Sequence, residues 1–587
     1  MEKLFDYISG LEIKATPEEI DAVQVFSKQL VEDYGYSKKQ IQTRPQFRVK
    51  VRPSDTKKEY PIDIAVFSNE YKNENDLYII VECKKKNRKD GRSQLEDYLR
   101  FSKASLGVWF NGEQRLFLRK YEKDGKVYFD DSIPNIPING QRIEDIGKFK
   151  KEDLRPTHNL KLIFKSIRNH LAANNVGATR DEILAQQLIN MIFCKLYDEK
   201  YTAPNEMVRF RAGIGENPSE VAERIFDIFN EVRGKQPEIF DEQDKLSLDI
   251  NSIVYVVGEL QNYSLMNSER DVVADAFETF IGHALKGGQG QFFTPRNVVK
   301  MMVDILQPTE NDKIIDPACG SGGFLIDTLK YIWENIDINY KKLHWKQIEI
   351  EKKKIDIATN NFRGIDKDYF LSKVAKAYMN LVGDGTTGIF CEDSLEIPTH
   401  WKQETQFKIK PESFDVILTN PPFGSKIPVA GEEKLKQFEL AHQWKKNKTD
   451  KNWEKSKLKD KEAPQILFIE RCLQLLKVGG RMAIVLPEGT FGNTDLGYIR
   501  KFIVENCRLV AVIDLPIETF MPNTGTKTSI LVAQKVDKKK LKNDYPVFMA
   551  IAETCGHDRR GNETKEDDIS QIVDNFKKWQ KQINYCW

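Results

Sequence analysis

The chain has 587 residues, 40% hydrophobic and 30% charged, and its 90 Lys and Arg against 88 Asp and Glu leave a net charge of +2. That length accommodates about three domains, and the near-neutral balance excludes a protein that grips nucleic acid by bulk positive charge alone. Met1-Glu2-Lys3-Leu4-Phe5-Asp6 contains no apolar leader, no apolar run reaches membrane-spanning length, and the eight cysteines form no Cys-x-x-Cys pair. A cytoplasmic protein without membrane contact, zinc or disulfides is therefore expected.

Residues 1–125 alternate short strand and helix signals. Tyr60-Pro61-Ile62-Asp63-Ile64-Ala65-Val66 and Leu77-Tyr78-Ile79-Ile80-Val81-Glu82-Cys83-Lys84 read as neighbouring strands, and the period of two turns Glu82 and Lys84 to one face. Asp63 and Glu82 are placed to share a Mg2+ ion, which takes carboxylate and water oxygens, while Lys84 positions or activates the attacking water. This is the pattern of the PD-(D/E)xK nucleases. With Gln94-x-x-x-Tyr98 on the next helix, the set resembles the N-terminal nuclease domain of type I restriction subunits, and Glu19 is a further candidate metal contact. A degenerate fold kept for docking or DNA contact is the competing reading. Cys83 reads as a small buried spacer.

Ser132-Ile133-Pro134-Asn135-Ile136-Pro137-Ile138-Asn139-Gly140 marks residues 126–155 as a linker. From 156 to 285 the pattern is helical. Thr179-x-x-Glu182 reads as a capping box, and Ile183, Leu184, Leu188, Ile192 and Leu196 recur at helical spacing. No chemistry is expected of this bundle.

Residues 286–560 carry the strongest signals. Lys313-Ile314-Ile315-Asp316 reads as a strand ending in a carboxylate, followed by a turn with Cys319, Gly320, Ser321 and Gly322 and a helix through Phe324, Leu325, Thr328 and Leu329. The turn has neither the dinucleotide spacing nor the Lys-Ser/Thr of a P-loop. Asp316 would repel a pyrophosphate and favour a cationic ligand such as the amino end of S-adenosylmethionine. Asp366 ends a second strand, placed to take ribose hydroxyls, and Asp393 follows a third, where it would accept from the adenine amine.

Phe414-Asp415-Val416-Ile417-Leu418-Thr419 then delivers Asn420-Pro421-Pro422-Phe423. Two prolines fix φ and remove backbone donors, leaving the Asn420 side-chain oxygen and the Pro421 carbonyl to accept both hydrogens of a planar amine, with Phe423 as a stacking face. Alone, these four residues also fit a strand-ending turn; the three acidic strand ends upstream make the joint pattern specific. The lysine-rich stretch 426–461, with Trp444 and Trp453, reads either as a DNA-phosphate contact or as a solvated loop. His400, His442 and His557 lack ligand spacing. Residues 561–587 read as a helical tail with Ile569, Ile572, Val573, Phe576 and Trp579 on one face, either a docking surface or packing against its own core.

These motifs resemble the amino-methylating DNA methyltransferases, specifically the modification subunits of type I restriction-modification systems, over roughly residues 156–560. Gly290-Gln291-Phe292-Phe293-Thr294-Pro295-Arg296 matches that family's motif contacting the methionine end of the cofactor, Asp316 to Phe324 its glycine-rich motif, and Asn420 to Phe423 its catalytic motif; Arg481 to Pro487 and Thr526 to Leu531 resemble later strands. The resemblance implies an α/β, Rossmann-like methyltransferase core with a helical companion and a smaller nuclease-like domain in front. It implies methyl transfer from S-adenosylmethionine to adenine N6 in double-stranded DNA, although the cytosine N4 amine is similar. Gln291, Thr294, Pro295, Asp316, Gly320, Ser321, Gly322, Asp366 and Asp393 would hold the cofactor. The short tail after the last strands leads us to expect sequence specificity from a separate S subunit held between two copies of this chain, with a restriction/translocase (R) subunit as a further partner. Methylation of RNA or of a protein glutamine, and a non-catalytic DNA-binding scaffold, are the competing functions.

Overall fold

A computed structural model of the chain describes residues 3–50, 59–86, 88–131, 133–157, 159–174, 181–237, 239–241, 244–268, 276, 294–383, 388–424, 427–447, 452–522, 524–537 and 544–587. They fall into two compact units, Met1–Ala284 and Leu285–Trp587. None of the described helices is long and apolar enough to cross a membrane.

In the first unit, α1 (Gln24–Glu32) precedes a sheet of β1 (Ile41–Gln42), β2 (Ile64–Phe67), β3 (Leu77–Cys83), β4 (Leu106–Phe110), β5 (Arg115–Lys123) and β6 (Lys126–Asp130), ordered β6-β5-β4-β3-β2-β1. Only β3 and β4 run parallel, and α2 (Arg92–Arg100) supplies the crossover that a parallel pair needs. Both faces are covered. Phe26 and Leu30 of α1 pack with one, Leu95, Tyr98 and Leu99 of α2 with the other, which is why the central strands read as continuous apolar runs.

The expected linker is corrected here. Residues 126–130 are the edge strand β6, and Ile133 and Ile136 are buried in the α1-side core. Asn135 accepts from the Tyr34 hydroxyl at 2.8 Å and donates to the Gly258 carbonyl at 3.1 Å. Gly258 lies in α6 (Ile250–Leu260), which among the described residues follows the helices α3 (Leu160–Asn174), α4 (Asp181–Tyr201) and α5 (Pro218–Lys235). A Cβ there would meet the Pro134 carbonyl oxygen at 2.5 Å, so prolines and a glycine that signal a loop build a close crossing instead. Arg115 of β5 also donates from Nε to Glu259 of α6 at 2.8 Å, a pair almost fully buried. Within α4, Leu184, Leu188 and Ile192 are buried but Ile183 faces solvent. Thr179 of the expected capping box lies outside the described residues.

The second unit opens with α7 (Arg296–Leu306), β7 (Ile314–Asp316), α8 (Gly323–Lys342), α9 (Gln347–Asn361), β8 (Phe362–Asp366), α10 (Tyr369–Gly383), β9 (Ile389–Cys391) and β10 (Phe414–Thr419). A hairpin of β11 (His442–Lys446) and β12 (Trp453–Leu458) follows, then α11 (Pro464–Leu475), β13 (Leu476–Pro487), α12 (Gly497–Asn506), β14 (Cys507–Asp514), β15 (Thr528–Lys535), β16 (Phe548–Ile551) and α13 (Ile569–Gln582). The main sheet runs β9-β8-β7-β10-β13-β15-β14-β16. All neighbours are parallel except β15, antiparallel to both β13 and β14. This is the expected Rossmann-like core, and its strand order reverses between β7 and β10. Such a switch point is where open α/β sheets bind ligands, outside the carboxyl ends of the strands.

The stretch after β10 is not a solvated loop. Leu435, Phe438, Leu440 and Ala441 are buried in the main core, while Trp444 stacks on Tyr498 at 5.8 Å and Trp453 meets the same ring edge-on. The tail is likewise folded onto its own unit: Ile569, Ile572, Val573 and Phe576 are buried, Phe576 packs on Phe548 of β16, and Trp587 Nε1 donates to the Ile305 carbonyl at 2.9 Å. Its apolar face is therefore covered and is not a docking surface. The expected boundary at 560/561 also divides a two-stranded ribbon, Cys555–His557 with Glu563–Asp567.

Candidate functional site

Two strand ends meet at the switch point. β7 is buried along its length and ends at Asp316, which is 1% exposed. Its Oδ1 accepts from the Ala318 backbone amide at 3.0 Å, and the Thr419 hydroxyl lies beside the carboxyl. Burial pushes this carboxyl up to about 7. A buried acid in that state favours an incoming cation, which would restore its charge.

The turn after β7 places Gly320 at φ +52° and Gly322 at φ +89°, and α8 begins at Gly323. A Cβ on Gly320 would meet no described atom within 4 Å, so its open side is a surface for close approach rather than a packing contact. Asp366, at the end of β8, clamps this turn: Oδ2 accepts from the Gly320 amide and Oδ1 from the Asp368 amide, both at 2.9 Å. The expected ribose contact thus falls on a carboxylate that already bonds two backbone amides. Burial raises its pKa. Asp393, beyond β9, accepts from the Leu395 amide at 2.9 Å and pairs through Oδ2 with Lys434 Nζ at 2.8 Å. Sequence reasoning missed Lys434, one lysine among many in its stretch.

β10 carries the polar hook out of the core. Asn420 Nδ2 donates to Thr294 Oγ1 at 3.1 Å, and its Oδ1 is buried without a partner among the described residues. An unpaired buried acceptor costs about 1–3 kcal/mol, so the site is built to receive a donor there. Phe423 stands edge-on to Phe520 at 6.4 Å, and the Gly424 amide donates to Gln465 at the start of α11 at 3.3 Å. Thr528 Oγ1 is a further buried oxygen at this edge without a hydrogen-bond partner among the described residues. The structure brings Asp316, Gly320, Ser321, Gly322, Thr294, Asp366 and Asn420 to the carboxyl edge of one sheet; Gln291 lies outside the described residues. Acidic strand ends beside an open glycine turn suit a cationic cofactor and do not suit a pyrophosphate.

In the first unit Asp63, Glu82, Lys84 and Gln94 come together. Asp63 Oδ2 accepts from the Cys83 amide at 2.8 Å, Lys84 Nζ pairs with Glu82 Oε1, and Gln94 lies 3.5 Å from the same ammonium. Gln94 donates to the Tyr98 hydroxyl at 2.6 Å. Burial first, then the two carboxylates' mutual repulsion for Glu82, pushes Glu82 up to about 7; burial pushes Asp63 up to about 6. Glu19 is paired with Arg44. Among the described residues no group of three or more His, Cys, Asp or Glu is placed to hold a metal. Two buried, mutually repelling carboxylates nevertheless fit Mg2+, which keeps several waters and takes one or two carboxylates.

The family described as N-6 DNA Methylase matches residues 268–587, and the one described as Type I restriction enzyme R protein N terminus matches residues 17–137. The type I restriction enzyme EcoEI methylase subunit of Escherichia coli is 29% identical over 288 residues, 48% of this chain and 50% of that protein. The MjaIX methylase subunit of Methanocaldococcus jannaschii is 24% identical over 369 residues, 60% of this chain and 56% of that protein. The chain thus spans about half the length of these curated relatives. Among solved structures, a chain from work on the assembly and conformational transition of the type I R-M system aligns with TM-score 0.50 at 17% identity, over 73% of this chain and 83% of that one, a likeness of fold.

Proposed function

The chain belongs to the N-6 DNA methylase family, and from that premise we propose that it is the modification subunit of a type I restriction-modification system, methylating adenine N6 in double-stranded DNA. The observation that carries this reading is the Oδ1 of Asn420 at the switch point, buried without a partner among the described residues, beside three acidic strand ends. S-adenosylmethionine, when bound, supplies an electrophilic methyl group. Asp316, the Gly320–Gly322 turn, Asp366 and Asp393 would hold it, with Gln291 and Pro295 toward its methionine end. Asn420 Oδ1 and the Pro421 carbonyl accept the two hydrogens of the target amine, which draws its lone pair out of conjugation with the ring and makes nitrogen a better nucleophile. Phe423 offers a stacking face that offsets part of the few kcal/mol needed to extrude the base.

A separate specificity subunit, two copies of this chain per complex, an R subunit and a cytoplasmic location belong to the same proposal, whose support is that the named relatives are methylase subunits of type I restriction enzymes. Asp63, Glu82 and Lys84 would cut DNA with Mg2+, the pairing of Lys84 with Glu82 and the charge interaction of both with Asp63 being the observation that favours it; Lys84→Ala should then abolish cuts and spare methylation. Nucleoside mass spectrometry of DNA treated with the chain, its specificity partner and labelled cofactor tests the main reading. N6-methyladenine is expected; N4-methylcytosine alone, or label only in RNA or protein, would overturn it.

A further inference from the structure

The catalytic assignment rests on Asn420 presenting its oxygen, yet an asparagine amide rotates about χ2 and has two ends of nearly the same shape, one accepting and one donating. A donor turned toward the target amine would oppose catalysis. In the structure the donating end is engaged: Nδ2 bonds Thr294 Oγ1 at 3.1 Å, and Oδ1 is left buried and unpartnered among the described residues. The two residues lie 126 positions apart.

Thr294 is itself firmly held. It directly precedes Pro295 and α7, whose Val298, Val299, Met302, Val303, Ile305 and Leu306 are buried. Asn297, one residue into α7, donates to the Cys555 carbonyl at 2.9 Å, and Arg481 of β13 donates to the Leu306 carbonyl at 2.6 Å. The hydroxyl is thus carried on an element fixed at both ends, the arrangement that keeps a catalytic side chain within a fraction of an ångström of its working position.

We propose that Thr294 is a positioning residue: its hydroxyl oxygen holds the Asn420 amide plane and keeps the oxygen end toward the target amine. The proposal rests on the methyl-transfer reading for its kinetic consequence but not for the hydrogen bond itself. Thr294 then contributes to turnover rather than to cofactor affinity, in contrast to the cofactor contact that its motif implies.

The test compares Thr294→Val, which keeps the shape and removes the hydroxyl, with Thr294→Ser, which keeps the hydroxyl. In full-length protein labelled with 15N-asparagine, the Asn420 side-chain amide signal is identified by its loss in Asn420→Asp. It should exchange slowly with solvent in wild type and Thr294→Ser and rapidly in Thr294→Val. In the complex with its specificity partner, Thr294→Val should lower single-turnover methylation about 10- to 100-fold, the scale of a displaced catalytic group, with S-adenosylmethionine affinity within about twofold of wild type and Thr294→Ser restoring the rate. An unchanged amide signal in folded Thr294→Val overturns the proposal, as does a rate loss matched by an equal loss of cofactor affinity. If the amide responds as expected while no variant, wild type included, methylates DNA, the methyl-transfer reading fails and the positioning contact stands.

Discussion

Lys434 holds the carboxylate of Asp393, its Nζ 2.8 Å from Oδ2 and 3.0 Å from Oε2 of Glu396. The ammonium therefore sits between two acids that would otherwise repel, and it fixes the one expected to meet the adenine of the cofactor. Lys434→Ala should weaken S-adenosylmethionine binding by about two- to fivefold, in keeping with the 0.2–1 kcal/mol of partly exposed ion pairs. Calorimetry decides the sign: tighter binding in the variant would mean that Lys434 competes for Asp393 instead of orienting it.

Asn420→Ala removes an acceptor whose bonds to the target amine strengthen as the nitrogen changes geometry. The methylation rate should fall by at least about a hundredfold, while cofactor affinity stays near wild type because no cofactor contact is lost. Near-normal single-turnover rates would remove Asn420 from the mechanism.

Asp366 and Gly320 form a linked pair, the carboxylate accepting from the glycine amide at 2.9 Å. Asp366→Ala removes both that clamp and any ribose contact, so cofactor affinity should drop by about 1.5–3 kcal/mol, the worth of charge-assisted hydrogen bonds. Gly320→Ala adds a Cβ that meets no described atom but occupies φ +52°, where glycine is favoured. That variant should fold, with a modest fall in Tm, and bind cofactor less well. If both variants bind with wild-type affinity, the cofactor lies elsewhere.

Much of this site was legible in the sequence because its strands are buried on both faces. Ile314-Ile315 and Val416-Ile417-Leu418 are apolar for packing, so Asp316 and Asn420 stand out as the polar residues that end them. Contacts between segments distant in the chain were not legible. Nothing local to Thr294 points to Asn420, and Lys434 is hidden among the many lysines of its stretch. The expected linker failed for a related reason: Pro134 and Gly140 signal a break in regular structure, but Ile133 and Ile136 anchor the irregular chain in a core. The lysine-rich stretch misled in the same way, its charge masking Leu435, Phe438 and Leu440, which are fully buried.

The last prediction concerns Asp63 and Glu82, whose pKa values rise from the usual 3.8 and 4.5 to about 6 and about 7. Over the window between those limits the folded state holds more protons than the unfolded one, so in the absence of metal the pair's contribution to stability is greatest below about pH 4 and is lost as pH rises through about 7. A divalent cation binds the ionised pair and competes with those protons. Magnesium should therefore raise the Tm little at pH 5 and clearly at pH 8, where saturation to a hundred times Kd corresponds to about 2.7 kcal/mol. Glu82→Gln should remove the magnesium effect at pH 8, and in metal-free buffer it should make the protein less sensitive to raising the pH from 5 to 8, since one of the two repelling charges is gone. Differential scanning calorimetry of wild type and variant at both pH values gives the answer. A magnesium shift equal at pH 5 and pH 8, or one that survives in Glu82→Gln, would show that the ion binds elsewhere and that the four gathered residues are a structural remnant.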